Sequence, residues 1–527
     1  MALGYRGAVS TPHLLASQAA IAALRDGGNA VDAAVSAAAV ATVAQPFTSS
    51  LGGVGWATVY DSASQTTEVL EFLGAVPGAL DPAALSADPL GLVDWRRLEQ
   101  SGSPLLGCLT PSVVPGWEAL LARRGRWSLA RALEPAIAWA TEGVPVSELL
   151  RANTAASAPR LRRWPDSAVV FLKAGEAPKV GARLVQADLA GTLQRIARDG
   201  SAEMTEGRTA KAIVRFHEEN GGALRLGDLE GARPRWHAPL VTRFRDRAVH
   251  CAHAPLGDVA FACGLQLLDR FGRFDGPQDP RYVHASIESG KLVSEDRALY
   301  LGPETDEATV AWLLSPEHTD SQLALITERA KARPAPARMN EDTITLATVD
   351  QDGNAVHLMQ TVGTFFGTGA VVPGTGVLLN SSLYFAYANP SVANRVVPGL
   401  SVEQNPCLAM LFDDAGRLRL VAGSPGGKAR VEMVRQLIVN VVDFGMNVQQ
   451  AVDAGRFLNS PDGASVDFES RYGEVDGELR HALEARGHAV LVKDEAFGSG
   501  QAIAIDPSTG ARMAAADWRR EAVALAY

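Results

Sequence analysis

The 527-residue chain is 47% hydrophobic and 20% charged, a globular composition with apolar content for a sizeable core and length for two or three domains or one large layered domain. A net charge of −10 and a pI near 5.6 argue against nucleic acid as the main partner. Cys108, Cys251, Cys263 and Cys407 show no zinc-ligand spacing and suit buried, unpaired thiols in a reducing compartment.

The first ten residues lack the basic start and apolar core of a signal peptide, and the apolar run 33–44 is too short to span a bilayer. A cytoplasmic protein without a membrane partner is expected. Residues 12–26 read as a helix with an apolar stripe through Leu14, Leu15, Ala19, Ile21 and Leu24, stopped by Asp26-Gly-Gly-Asn29. An alanine-rich helix follows over 30–44. Ser50-Leu-Gly-Gly-Val-Gly then turns into a strand ending near Tyr60. Its glycines precede a strand, where a dinucleotide turn would open a helix, so no cofactor is expected.

From 113 to 300 the pattern is mostly helical, clearest over 117–122 and 129–141, with polar, proline-bearing breaks at 158–167 and 273–281. The arginine clusters 123–127 and 160–164 read as solvated faces. His250 with His253, and His284 with Glu288, could hold a metal, but satisfied histidines are the expectation and no metal is assigned.

The run 329–342 is basic, rich in alanine and proline, and aperiodic. Directly after it, Thr343 heads a β-branched strand to Asp350, a turn at 351–354, and a second strand over 355–362. A Thr hydroxyl needs a base to become a nucleophile. A chain-terminal Thr carries one, because its α-amine titrates near pH ~8. Scission between Asp342 and Thr343 would create that amine; the local alternative is a strand Thr after a surface loop. Residues 374–380 return to strand. Residues 418–427 form a strand ending in a glycine turn, and 429–442 form a helix with a stripe through Val431, Val434, Leu437 and Val441. Two sets of strands flanked by helices predict a layered α/β sandwich.

In order and spacing, several segments together resemble the gamma-glutamyltranspeptidase family of N-terminal-nucleophile hydrolases. They are Gly27–Val35, Leu51-Gly-Gly-Val-Gly, Thr343 with Val349-Asp-Gln-Asp-Gly-Asn-Ala-Val356, Thr364-Phe-Phe-Gly-Thr-Gly369, Gly376–Asn380 and Gly423-Ser-Pro-Gly-Gly427. The resemblance implies a four-layer αββα sandwich made from one precursor cut into two subunits, 1–342 and 343–527. These stay together as a heterodimer or a dimer of heterodimers. It implies Thr343 as nucleophile with its own amine as base, Thr361 as the hydroxyl supporting it, and the Gly426 and Gly427 N–H groups as oxyanion donors. The family mechanism needs no metal.

The departures concern the substrate. Leu73 stands where the family has an Arg for the glutamyl α-carboxylate, and Phe385, beyond Asn380 and Tyr384, stands where an Asp holds the ammonium. Val402-Glu-Gln-Asn405 replaces a pair of serines, and Thr345 replaces a frequent His. Lys428 is either a replacement cation or a solvent-facing lysine. These changes predict a self-processing amidohydrolase or acylase that takes a small-molecule amide of an apolar or small, non-glutamyl acyl group. A gamma-glutamyl hydrolase or transferase using other residues is the alternative, and a non-catalytic scaffold is a third reading.

Overall fold

The computed structural model describes every residue except 90, 334–342, 461–462, 474 and 476, and of Lys428 it describes the backbone alone. Strands β1 (Ala2–Gly4) and β2 (Ala8–Thr11) precede helices α1 (Leu14–Arg25) and α2 (Ala30–Ala44). Next come β3 (Val54–Asp61), β4 (Thr66–Phe72), α3 (Val113–Arg124), α4 (Leu129–Glu142) and α5 (Glu148–Arg162). The middle of the chain supplies β5 (Arg235–His237), β6 (Leu240–Phe244), β7 (Arg247–Cys251), α6 (Val259–Arg270) and α7 (Pro280–Tyr300). The last part supplies β8 (Ile344–Val349), β9 (Ala355–Thr361), β10 (Ala409–Phe412), β11 (Leu418–Gly423), α8 (Arg430–Val442), β12 (Gln501–Ile505), β13 (Arg512–Ala516) and β14 (Val523–Ala526).

These strands make two seven-stranded antiparallel sheets, ordered β14-β2-β8-β9-β3-β4-β5 and β1-β13-β12-β11-β10-β7-β6. Strand alternation assigns the layers. Ile344 and Leu346 of β8, with Val356 and Leu358 of β9, turn outward into a core shared with α1–α4. Ala347, Val349 and Ala355 turn inward against Met410, Val421 and Ile503 of the second sheet. On the outer face of that sheet Val249, Leu411, Leu420 and Ala422 pack with residues of α6, α7 and α8. The result is the αββα sandwich that the resemblance implied.

Sequence chemistry explains how α2 enters this core. Asn29 caps it, accepting from the Val31 and Asp32 N–H groups, while Asp32 accepts from Asn29 N–H at 2.8 Å. All fifteen residues of α2 are buried, and alanine lets its neighbours approach closely. The β8–β9 turn is pinned by Asp350, whose Oδ1 accepts from Asp352 and Asn354 N–H and whose Oδ2 accepts from Ala30 N–H at 3.1 Å. Gly353 takes the left-handed conformation that this turn needs.

Three expectations change. The break placed at 158–167 begins only after Arg162, because α5 runs through Pro159. The mostly helical reading of 113–300 missed β5 and β6, which are sheet edges whose charged, half-exposed residues mask the alternation. The strand at 374–380 shrinks to Val377–Leu378.

Candidate active site

Thr343 directly precedes β8 and shares parity with Thr345, Ala347 and Val349, so strand alternation turns it toward the second sheet. The register Ile344↔Gln360 places Thr343 opposite Thr361 one step earlier. Thr343 Oγ1 donates to Thr361 Oγ1 at 3.2 Å, and Thr361 Oγ1 accepts from Gly363 N–H at 2.9 Å. Both threonines are buried. The bond expected to break joins Thr343 to Asp342, which lies outside the described residues.

Thr345 donates to Gln501 Oε1 in the second sheet, and Gln501 pairs with Gly423 at the end of β11. That link places the head of β8 and the glycine turn after β11 at the same end of the sandwich. Gly426 has φ +134° and Gly427 φ +55°, conformations that side-chain-bearing residues rarely adopt. A Cβ on Gly426 would lie 2.2 Å from Met433 Cε. Among the described residues neither glycine N–H has a hydrogen-bond partner. The turn leads through Gly427–Ala429 into α8, whose N-terminus adds positive potential. Two free donors in such a turn can stabilise an oxygen that gains negative charge.

Leu73, Tyr384 and Phe385 share one buried apolar cluster with Trp56, Met359 and Leu408. The Tyr384 and Phe385 rings lie 4.3 Å apart. Leu73 also lines a cleft with Asp228, Arg233, Arg235 and Ser401. Asn380 needs correction as a substrate contact. Its Oδ1 accepts from Leu109 and Ser382 N–H, and its Nδ2 donates to the Gly52 and Leu109 carbonyls, each at 2.8–3.0 Å. With its amide saturated, Asn380 positions three loops around the site. The Lys428 side chain lies outside the described residues.

Three charged residues here make contacts that the sequence alone did not assign. Arg160 donates to the Phe365 and Gly367 carbonyls at 2.6 and 3.1 Å and stacks 4.6 Å from Trp95, so it holds the TFFGTG loop. Arg430 is fully buried, and its Nε donates to Gly427 O at 2.8 Å. Glu403 is fully buried and accepts from Arg297 Nε at 2.6 Å through Oε2. Burial pushes the Glu403 carboxyl up to about 7 against the opposing pull of Arg297. Arg160 stood in a cluster read as a solvated face, Glu403 in the segment that replaces the serines, and Arg430 three residues past the glycine turn, and residue type alone stated none of these contacts.

His284, Glu288 and His488 converge within metal-ligand range. His284 bonds His488 and the Thr327 carbonyl, each at 2.8 Å, and Glu288 accepts from Lys291 Nζ at 2.7 Å. Both His284 nitrogens and a Glu288 oxygen thus have protein partners, while His488 Nδ1 has none among the described residues. All four cysteines are buried and free. Among the described residues no helix is long and apolar enough to cross a membrane.

A family model described as Gamma-glutamyltranspeptidase matches residues 16–527. Acylase ACY 1 proenzyme of Pseudomonas sp. (strain V22) is 31% identical over 539 residues, covering 100% of this chain and 94% of that protein. Glutathione hydrolase proenzyme of Escherichia coli (strain K12) is 31% identical, covering 95% of this chain and 88% of that protein. The crystal structure of cephalosporin acylase from Bacillus halodurans superposes with a TM-score of 0.90 at 29% identity, covering 100% of this chain and 96% of that one.

Proposed function

This chain belongs to the gamma-glutamyltranspeptidase family of N-terminal-nucleophile hydrolases, and from that premise we propose that it cleaves itself before Thr343 and then uses that residue on an amide substrate. Maturation divides the chain into 1–342 and 343–527, which remain interlocked because β8 and β9 of the second part lie between β2 and β3 of the first. The freed α-amine of Thr343 takes the proton from its own hydroxyl, and Oγ1 attacks the amide carbonyl. The Gly426 and Gly427 N–H groups receive the tetrahedral oxyanion. The C–N bond breaks as the amine leaves with the transferred proton, and water or a second amine releases the acyl group from the Thr343 ester.

One observation carries this reading: Thr343 meets Thr361 at the end of the sandwich where two glycine donors stand free. For the acyl group, similarity to a glutathione hydrolase supports a gamma-glutamyl amide, read by residues other than Leu73 and Phe385. The apolar surface of Leu73 and Phe385, with the likeness to a cephalosporin acylase, favours a second reading in which the acyl group is not glutamyl. Four free, buried cysteines suit the cytoplasm as the working compartment. Denaturing electrophoresis with N-terminal sequencing tests the maturation step. Two fragments, one starting at Thr343, are expected, and fully active uncut chain would end the proposal. Turnover of gamma-glutamyl and simple acyl anilides then separates the two acyl readings.

A further inference from the structure

The acyl side of the site holds polar groups that no described residue completes. Arg430 is 0% exposed, and beyond the Nε bond to Gly427 its Nη1 and Nη2 have no hydrogen-bond partner. Its guanidinium carbon lies 5.6 Å from the centre of the Phe385 ring. Asp258 and Glu403 feel its charge, but neither is hydrogen-bonded to it among the described residues. Asp258 accepts from the Ala252, Cys407 and Leu408 N–H groups, and Glu403 accepts from Arg297. Glu403 Oε1 and the side-chain amides of Gln404 and Asn405 are likewise buried without partners. Asn394 Nδ2 ties this segment to the site by donating to both Phe385 O and Glu403 O. A guanidinium removed from water with two unused nitrogens is costly unless an anion joins it, and a planar fork of N–H groups matches a carboxylate.

We propose that Arg430 is the specificity-determining cation of this site, receiving on Nη1 and Nη2 a carboxylate carried by the substrate's acyl group. The inference rests on the proposed function and deepens it: the cation absent at Leu73 is supplied from the start of α8. The carboxylate comes either from the α-carbon of a gamma-glutamyl group or from the far end of a dicarboxylic half-amide. Glu403 Oε1 is the acceptor for an ammonium, which only the gamma-glutamyl group carries.

The test compares gamma-glutamyl, glutaryl and valeryl anilides on the cleaved enzyme. Wild type should prefer the two carboxylated substrates. In Arg430→Met the loss of kcat/KM on these should exceed the loss on the valeryl anilide by about 10–100-fold, with Arg430→Lys recovering part of the ratio. A gamma-glutamyl preference over glutaryl that Glu403→Gln erases assigns the first source, and equal use assigns the second. No preference in wild type, or equal losses on all three, overturns the assignment. If Arg430→Met does not fold, the wild-type preference decides, together with a thermal shift that glutarate should give and glutaramide should not. A glutarate shift without any amide turnover would defeat the proposed function and leave Arg430 standing. Amide turnover with neither shift nor preference would do the reverse.

Discussion

At the head of β8, Thr343 bonds Thr361, Thr361 accepts from Gly363, and Thr345 reaches Gln501 in the facing sheet. Across the site, at the start of α8, Arg430 keeps two nitrogens without a partner among the described residues, and atoms of Glu403, Gln404 and Asn405 likewise have none. The first region is completed by the chain itself. The second has the polarity of a place that a ligand completes, since buried polar groups are otherwise nearly always paired. On the reading proposed above, the nucleophile pair and the glycine turn bear on how the reaction runs, and Arg430 with its neighbours bears on what is recognised.

The sharpest way to break this division is Thr343→Ala. It should leave one 55.6 kDa chain on a denaturing gel and lower turnover by about 10⁴-fold or more, because cleavage and acylation share the hydroxyl. Cleaved, active Thr343→Ala protein would sink the self-processing assignment. Next in size, Gly426→Ala forces a side chain into φ +134° and onto Met433, displacing the free donors. A fall in kcat of about 10²–10³-fold with KM little changed is expected from steady-state kinetics. Thr361→Val keeps the shape but removes the oxygen that Thr343 and Gly363 bond, so about a 10-fold lower rate is expected. An unchanged rate would reduce Thr361 to packing.

The smallest effect sharpens the other region. Folding raises Glu403 from its usual 4.5 to about 7, so its contribution to stability is complete below pH 4.5 and disappears as pH climbs through 7. Relative to Glu403→Gln, wild type should therefore lose stability as pH rises from about 4.5 to 7, read as the difference between their thermal midpoints at each pH. Asp258, raised to about 6 by burial, slopes the same way in both proteins, and histidines such as His217 and His357, lowered by burial to about 4 and about 3, slope the opposite way in both, so these contributions cancel in the difference. A variant as steep as wild type would show that Glu403 titrates normally.

Local chemistry was readable wherever a segment makes its own structure. The Asp26-Gly-Gly-Asn29 stop, the turn at 351–354 and the glycines at 426 and 427 each state their geometry in residue type, which is why α1, α2, the β8–β9 hairpin and the diglycine turn could be placed in advance. The charged edge strands β5 and β6 could not, because their pairing depends on neighbours far along the chain. Asn380 looked like a substrate contact until its four backbone bonds from three loops were seen. Arg160 and Arg430 looked like ordinary arginines until one was found holding a loop and the other buried with its fork open. The sequence by itself determined the turns and the helix stops, since these follow from backbone preference and short-range bonding, while the candidate reacting residues came from the family resemblance. Only the tertiary structure decided which charges lose water and which partners reach them, because desolvation is set by everything packed around a group and not by its neighbours in the chain.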